Sequence, residues 1–550
     1  MVQQEQLAQP ATASPAATAQ PASAQPAEFT PYNAASVFVD AALAKGWGER
    51  IAIRFGGDQW TYARLAAEVN RVGNTLRALG VDIEQRVGVL LYDSPEFAAS
   101  FFGAMKIGAV SVPMNTAMRP QDYAYLLQDS RARVLIIEAD LWPQIADLRG
   151  QFPFLRQVIL VQRGASAGAS GGQGVGDYTI LVSQASPDLM AAPTVRDDAA
   201  FWLYSSGSTG FPKGCVHRHQ DMAVCSERYA QPVLGIKPDD VTFSAAKLYF
   251  AYGLGNGLYF PLAVGASAVH APMRMTAEVA FQIIHEQRPT IFFGSPALFA
   301  GMLAYPDSQR FDMSSLRLCV SAGESLPADI FTRWKDRFGV EILDGIGSTE
   351  ILHIFLSNRA GAVKPGSTGT LVPGYQALIA DEQGQPVPQG EIGNLLIAGD
   401  SICTHYWNKY ERTRTTILGP WIKTGDKYYQ DQDGFFWYCG RSDDMLKVSG
   451  QWVSPAEVEA ALISRPEVLQ AAVVGHEDAD GLTKPYAFVV LKEGVAPSPE
   501  LEDALKQHVK TTLLPYKYPR WIEFVSSLPM TATGKIQRYK LREMLAERGG

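Results

Sequence analysis

At 550 residues the chain is too long for one compact core, so at least two domains are expected. Hydrophobic residues make up 47% and charged residues 19%, an ordinary globular balance, and the net charge of −8 carries no Lys/Arg-rich block to offset it. Nucleic acid is therefore not an expected partner, and neither is a membrane. The longest apolar region, "TIFFGSPALFAGMLAY", is broken by Gly294, Ser295 and Pro296 and reads as a strand running into a helix.

Residues 1–28 are almost entirely Ala, Gln, Pro, Ser and Thr and read as a disordered tail without a signal peptide. Beyond them, "QWTYARLAAEVNRVGNTLRALG" has helical spacing, "RVGVLLYDS" is strand-like and "PEFAASFFGAMKIG" is helical again. "AVSVPMN", "RPQDYAYLLQDS" and "ARVLIIEA" follow as strand, helix and strand. This alternation predicts a mainly parallel sheet with helices on both faces. The Gly/Ser/Ala stretch 164–177 reads as a mobile surface loop, and the short Gly- and Pro-punctuated pieces of 363–440 as a small antiparallel barrel or sheet. After "GRSDDMLKVSG" the rhythm changes for about one hundred residues, as for a separate C-terminal domain behind a polar connector at Asp443–Asp444. The five cysteines are scattered and lack tight metal spacing. "CVHRH" (Cys215, His217, His219) has no second half-site, so reduced thiols in a cytoplasmic enzyme are expected.

Three regions carry chemistry on their own residues. In "YSSGSTGFPKG" (204–214), Gly207, Gly210 and Gly214 allow close backbone approach. Ser205, Ser206, Ser208 and Thr209 supply hydroxyls and Lys213 a cation, a set suited to nucleotide phosphates. It is not a Walker A loop, because Pro212 precedes the lysine and Gly214 follows it. In "DGIGSTE" (344–350), Thr349 can hold a phosphate oxygen and Glu350 can ligate Mg²⁺; the plainer alternative is a capped helix start before "EILHIF". "LYFAYGLG" and "ILHIF" offer Tyr249, Phe250, Ala251, Tyr252, Gly253, His353 and Ile354, aromatic walls with small residues between them that suit a flat ring, or simply a packed core. "GLGNGL" lacks GxGxxG spacing and is not read as a dinucleotide site.

With "TGDKYY", "GRSDDMLKVSGQW" and "PMTATGKIQRYKL" following in that order, the chain from about residue 30 resembles the acyl-adenylate-forming superfamily of acyl-CoA synthetases, luciferases and adenylation domains. "KLYFAYGLGNGLYFPL" and "KGCVHRHQDM" look most like bacterial benzoate-CoA ligases. The resemblance implies an α/β fold. A large N-terminal domain (29–442) would contain two αβ subdomains and a small β-barrel. A smaller, mobile α+β C-terminal domain (443–550) would hinge at Asp443. It implies ATP, Mg²⁺ and coenzyme A as cofactor and co-substrates. Residues 204–214 would close over the phosphates, and Gly323 and Glu324 would line the adenine side. Asp344 and Gly345 would hold the adenine edge, and Thr349 would touch the α-phosphate. Glu350 would hold the metal, Asp426 with Arg441 the ribose, Lys535 would be the catalytic lysine and Gly450 would border the pantetheine tunnel. Trp452 stands where some relatives carry a basic residue, which removes one contact to CoA phosphate.

The chemistry that the resemblance implies is carboxylate activation as an acyl-adenylate, then attack by a thiol, with Lys535 withdrawn by domain rotation between the steps. The chain stops at Gly550, which favours free CoA over a fused carrier. Alternatives are another acid (2-amino- or 4-hydroxybenzoate, a heteroaromatic or a short fatty acid), a luciferase-type oxygenase, and a non-catalytic nucleotide-binding module. Acylation of Lys535 by a protein acetyltransferase would switch the enzyme off, and the assembly is read as a monomer or homodimer.

Overall fold

Two parallel sheets set the architecture, and each arises from the alternation of apolar strands and capped helices. The computed structural model describes residues 30–163, 174–207, 210–442, 444–448, 451–478, 482–530 and 536–548. The first sheet has nine strands. Its parallel centre is built from Ile51–Phe55, Ser267–His270, Val241–Ser244, Ile291–Gly294, Leu318–Ser321 and Ile342–Gly347. Antiparallel strands close both edges: Asp58–Thr61 on one side, Ile354–Ser357 and Thr370–Leu371 on the other. The second sheet has eight strands. Parallel pairing runs through Arg86–Leu90, Val110–Pro113, Val134–Glu138, Gln157–Val161 and Val175–Asp177. Ala199–Gly207, Gly210–Arg218 and His405–Tyr406 complete it.

The helices sit where their spacing predicts. Tyr62–Ala78 starts on the Thr61 side chain, which accepts the Arg64 N–H, and Pro95–Lys106 starts on Ser94 with proline in its first turn. Every residue of Pro95–Lys106 except Glu96 is buried, so this helix is a core element shared by both sheets rather than an amphipathic surface one. Its terminal Lys106 bonds Asp40 at 2.5 Å and Asn70 Oδ1 at 2.6 Å.

A third, antiparallel sheet of five strands covers Gln376–Ala380, Gly393–Ala398, Ile417–Leu418, Trp421–Gln430 and Phe436–Arg441. The C-terminal region has its own cores. Leu446–Val448 pairs with Gln451–Val453, and Val468–Glu477, Thr483–Leu491 and Trp521–Phe524 form a mixed sheet. Helices Pro455–Ile463, Pro499–Thr512 and Arg538–Arg548 accompany it. The fold is the expected α/β class with two domains. Among the described residues no helix is long and apolar enough to cross a membrane.

Three local readings change. Residues 164–173 of the expected surface loop lie outside the described residues, but Val175–Asp177 is an edge strand rather than loop, because it completes the pairing of Gln157–Val161. Residues 204–214 are mostly a β-hairpin: the strand runs through Gly207 and the return begins at Gly210. "EILHIF" is a turn and then strand Ile354–Ser357, not a helix; Ser348 caps only the turn by accepting the Ile351 N–H at 3.2 Å.

Candidate active site

The 204–214 hairpin is anchored from behind. Ser205 lies opposite Lys213 in the register, and the Tyr125 hydroxyl donates to the Pro212 carbonyl at 3.0 Å while its ring stacks on Phe211 at 4.7 Å. Tyr204 donates to Asp129 at 2.8 Å. These contacts fix the limbs of a turn whose glycines alone would leave it loose. Ser208 and Thr209 lie outside the described residues.

Glu350 is the point on which the hairpin and the 344–350 segment converge. Its Oε1 accepts the Ser205 hydroxyl at 3.2 Å and the Tyr406 hydroxyl at 2.9 Å, and Lys213 Nζ lies 3.6 Å from it. Lys213 also sits 4.4 Å from the centre of the Tyr406 ring. Burial works against the Glu350 charge, but Lys213 and the two hydroxyls outweigh it and hold the carboxyl below its ordinary value. The main chain is pinned as well: the Thr349 carbonyl accepts from His217 Nε2 at 2.8 Å, and the Glu350 carbonyl from Cys403 N–H at 2.7 Å.

Asp344 and Gly345 lie on Ile342–Gly347, where parallel pairing with Leu318–Ser321 on one side meets antiparallel pairing with Ile354–Ser357 on the other. This is the carboxyl end of the parallel strands, the usual place for ligands in such sheets. Asp344 is 4% exposed, its Oδ2 accepts the Leu326 N–H at 3.4 Å, and its Oδ1 has no partner among the described residues. Burial pushes its carboxyl well above the ordinary range. An unpaired buried acceptor can take a hydrogen bond from a ligand or a water. Beside it runs the 321–327 segment, with Gly323 at φ +100° and Glu324 accepting the Ile536 N–H at 3.2 Å. That contact holds the residue next to Lys535 against the same side of the site. Asp426 and Arg441 face each other across two strands of the third sheet, 3.3 Å apart.

The aromatic group is assembled in part. Tyr252 donates to the Val320 carbonyl at 3.1 Å and His353 lies 5.8 Å from its ring. His353 Nε2 bonds Asn256 Oδ1 at 3.1 Å, leaving Nδ1 without a partner among the described residues. The ring is packed among Tyr229, Tyr259 and Phe260, and burial pushes its imidazole down to about 3, so it is neutral. Ala251 begins the short helix Ala251–Leu254. A Cβ at Gly253 would lie 2.1 Å from the Lys247 carbonyl oxygen, so its smallness serves the packing of helix on turn. Ile354 is 1% exposed and packs on Gly345.

Lys535, Asp443 and Gly450 lie outside the described residues. Sequence reading missed Tyr406, Asn256 and Tyr125. Tyr406 stands in "THYWNK" without a motif, and Asn256 was hidden inside a glycine-rich string. His217 and His219 carry hydrogen bonds: His219 Nδ1 accepts the Ala34 N–H at 3.0 Å.

Comparison with known proteins gives the arrangement a family. The AMP-binding enzyme model matches residues 41–407 and the AMP-binding enzyme C-terminal domain model residues 457–535. The chain is 50% identical over 513 residues to the benzoate–CoA ligase of Thauera aromatica, covering 93% of this chain and 96% of that one. The anthranilate CoA ligase AuaEII, solved with anthranoyl-AMP, superposes with TM-score 0.90 at 43% identity, over 94% of this chain and 98% of that one. A benzoate CoA ligase from Burkholderia xenovorans LB400 gives TM-score 0.85 at 45% identity, over 93% and 100%. The chain belongs to the AMP-binding enzyme family.

Proposed function

We propose that the chain is an AMP-forming benzoate–CoA ligase, an acid–thiol ligase that makes benzoyl-AMP and pyrophosphate and then benzoyl-CoA and AMP. The observation that carries the reading is the convergence of Lys213, Ser205 and Tyr406 on Glu350, together with Asp344 Oδ1, which has no partner among the described residues. The half-identical relative of Thauera aromatica supports benzoate as the acid.

In this reading Asp344 Oδ1 accepts the exocyclic amine of adenine, and Asp426 with Arg441 takes the ribose hydroxyls. Lys213 and the hairpin face the β- and γ-phosphates, and Thr349 the α-phosphate. The substrate carboxylate attacks the α-phosphorus in line, the bond to pyrophosphate breaks, and the acyl-adenylate forms. Glu350, kept ionised and offering oxygen, fits a hard divalent cation, which when bound supplies charge neutralisation on the phosphate oxygens. In this reading Lys535 bridges carboxylate and α-phosphate in this step. The CoA thiol then attacks the carbonyl and AMP leaves, after rotation about Asp443 brings the Gly450 segment forward.

A second reading, 2-aminobenzoate, is favoured by the neutral His353, whose Nδ1 has no hydrogen-bond partner among the described residues and can accept from a ring amine, and by the structural match to the anthranilate ligase. The test is AMP formation with ATP and Mg²⁺ across benzoate, 2-aminobenzoate, 4-hydroxybenzoate, acetate and octanoate, with and without CoA. An optimum at benzoate that requires CoA is expected; an optimum at an aliphatic acid overturns the aromatic reading.

A further inference from the structure

We propose that His217 is a positioning residue: a buried strut, footed on Asp221, that fixes the peptide between Thr349 and Glu350. The proposal rests on the phosphate and cation roles given above to those two residues.

The His217 ring is fully buried, stacked on Phe201 at 5.2 Å with an interplanar angle of 18°. Nδ1 lies 3.0 Å from Asp221 Oδ2 and Nε2 lies 2.8 Å from the Thr349 carbonyl. Asp221 is itself fully buried and also accepts the Arg218 N–H at 3.0 Å and the Arg218 guanidinium Nε at 3.1 Å. A carbonyl can only accept, so Nε2 donates to the Thr349 oxygen while Nδ1 faces the Asp221 carboxyl. Arg218 is in turn paired with Asp197, so the Asp221 anchor joins a small network of charges.

A ring with both nitrogens occupied and no exposed edge cannot exchange protons with a substrate. Its one outlet towards the site is the Thr349 carbonyl. That oxygen belongs to the planar peptide joining Thr349 to Glu350, so holding it fixes the direction in which the Glu350 side chain leaves the chain. The segment needs such support. Residues 348–353 have no ladder partners, Leu352 sits at φ +74°, and the other donor to the Thr349 carbonyl, the Leu352 N–H, is longer at 3.3 Å. The anchoring carboxylate starts helix Asp221–Cys225 and the ring belongs to strand Gly210–Arg218, so the hairpin that faces the phosphates and the segment that faces the cation share one fixed reference.

The test compares His217→Gln, whose amide nitrogen falls near the position of Nε2, with His217→Asn, whose amide nitrogen falls near Nδ1. Both are checked by thermal melting. Binding of α,β-methylene-ATP with Mg²⁺ is measured by calorimetry, and benzoate-dependent ATP–pyrophosphate exchange gives kcat and KM separately. The Asn variant is expected to lose about tenfold or more in exchange kcat and about fivefold in magnesium-nucleotide affinity, with KM for benzoate within about twofold of the parent. The Gln variant is expected to keep at least about a third of both. Equal behaviour of the two variants, or a loss in the Asn variant that only tracks a lower melting temperature, overturns the strut. A parent chain that exchanges with no acid overturns the proposed function instead, and the nucleotide affinities of the two variants still decide the strut.

Discussion

Lys213 and Tyr406 meet over one oxygen: the ammonium lies 4.4 Å from the tyrosine ring centre, and both groups reach Oε1 of Glu350, at 3.6 and 2.9 Å. The two residues are brought together by the pairing of His405–Tyr406 on Gly210–Arg218, with Tyr406 opposite Cys215. Tyr406→Phe keeps the ring under Lys213 and removes only the hydroxyl. A charge-assisted hydrogen bond of this kind contributes about 1.5–3 kcal/mol, so adenylation should slow by about ten- to a hundredfold, read as AMP formation at saturating acid. A rate equal to the parent would remove Tyr406 from the site.

Asp344 Oδ1 gives a base-selectivity prediction. Asp344→Asn replaces an acceptor by a side chain that can also donate. KM for ATP should rise by about tenfold, and the preference for ATP over GTP should narrow, because the new amide N–H can meet a purine carbonyl. Steady-state kinetics with both nucleotides checks this; an unchanged ATP/GTP ratio would place the adenine elsewhere.

Gly255 is held to its size by the imidazole it faces. A Cβ there would lie 2.5 Å from His353 Cδ2 and 2.7 Å from Nε2, inside a ring cluster with no room to yield. Gly255→Ala should lower stability by about 1–3 kcal/mol and displace the imidazole. Denaturant melts measure the first effect, and a raised KM for benzoate with KM for ATP unchanged measures the second.

Three buried imidazoles give the protein an acid limit. Burial pushes His219 and His270 down to about 4 and His353 to about 3. In the unfolded chain these groups take up protons near their ordinary value of about 6.5, so between there and pH 4 the unfolded state binds more protons. Their contribution to stability is complete at neutral pH and is lost as pH falls through that window. Asp93, pushed up to about 6 by burial, acts in the opposite sense over part of it, so the clean readout is a difference. His219→Asn, which keeps an acceptor for the Ala34 N–H, should lose about 1.5 kcal/mol less than the parent between pH 6.5 and 5 in urea titrations. Parallel pH profiles would mean that His219 is protonated in the folded state.

Most elements were legible because they rest on local pattern. The strand "TIFFG" ending in Ser-Pro became Ile291–Gly294 with helix Pro296–Ala304 capped by Ser295, as composition alone predicts. The order of motifs carried the family resemblance, and with it Asp344, whereas Lys213 and Glu350 stood out in their own stretches. What stayed hidden depends on contacts between distant segments. Tyr406 is 56 residues from Glu350, and His217 is 132 from Thr349. No spacing rule connects such pairs.

The two-residue strand His405–Tyr406 also constrains how the molecule comes to life. The hairpin 199–218 leaves the ribosome nearly two hundred residues before the strand that pairs with its outer edge. Closing so long a loop is slow relative to local structure. A nascent chain ending near residue 400 would hold the 204–214 hairpin, Asp344 and Glu350, yet lack the Tyr406 hydroxyl and the Cys403 N–H that hold the acid in place. Competence to grip a magnesium nucleotide should thus arise late in synthesis, and ribosome-bound fragments on either side of residue 406 should differ sharply in nucleotide capture.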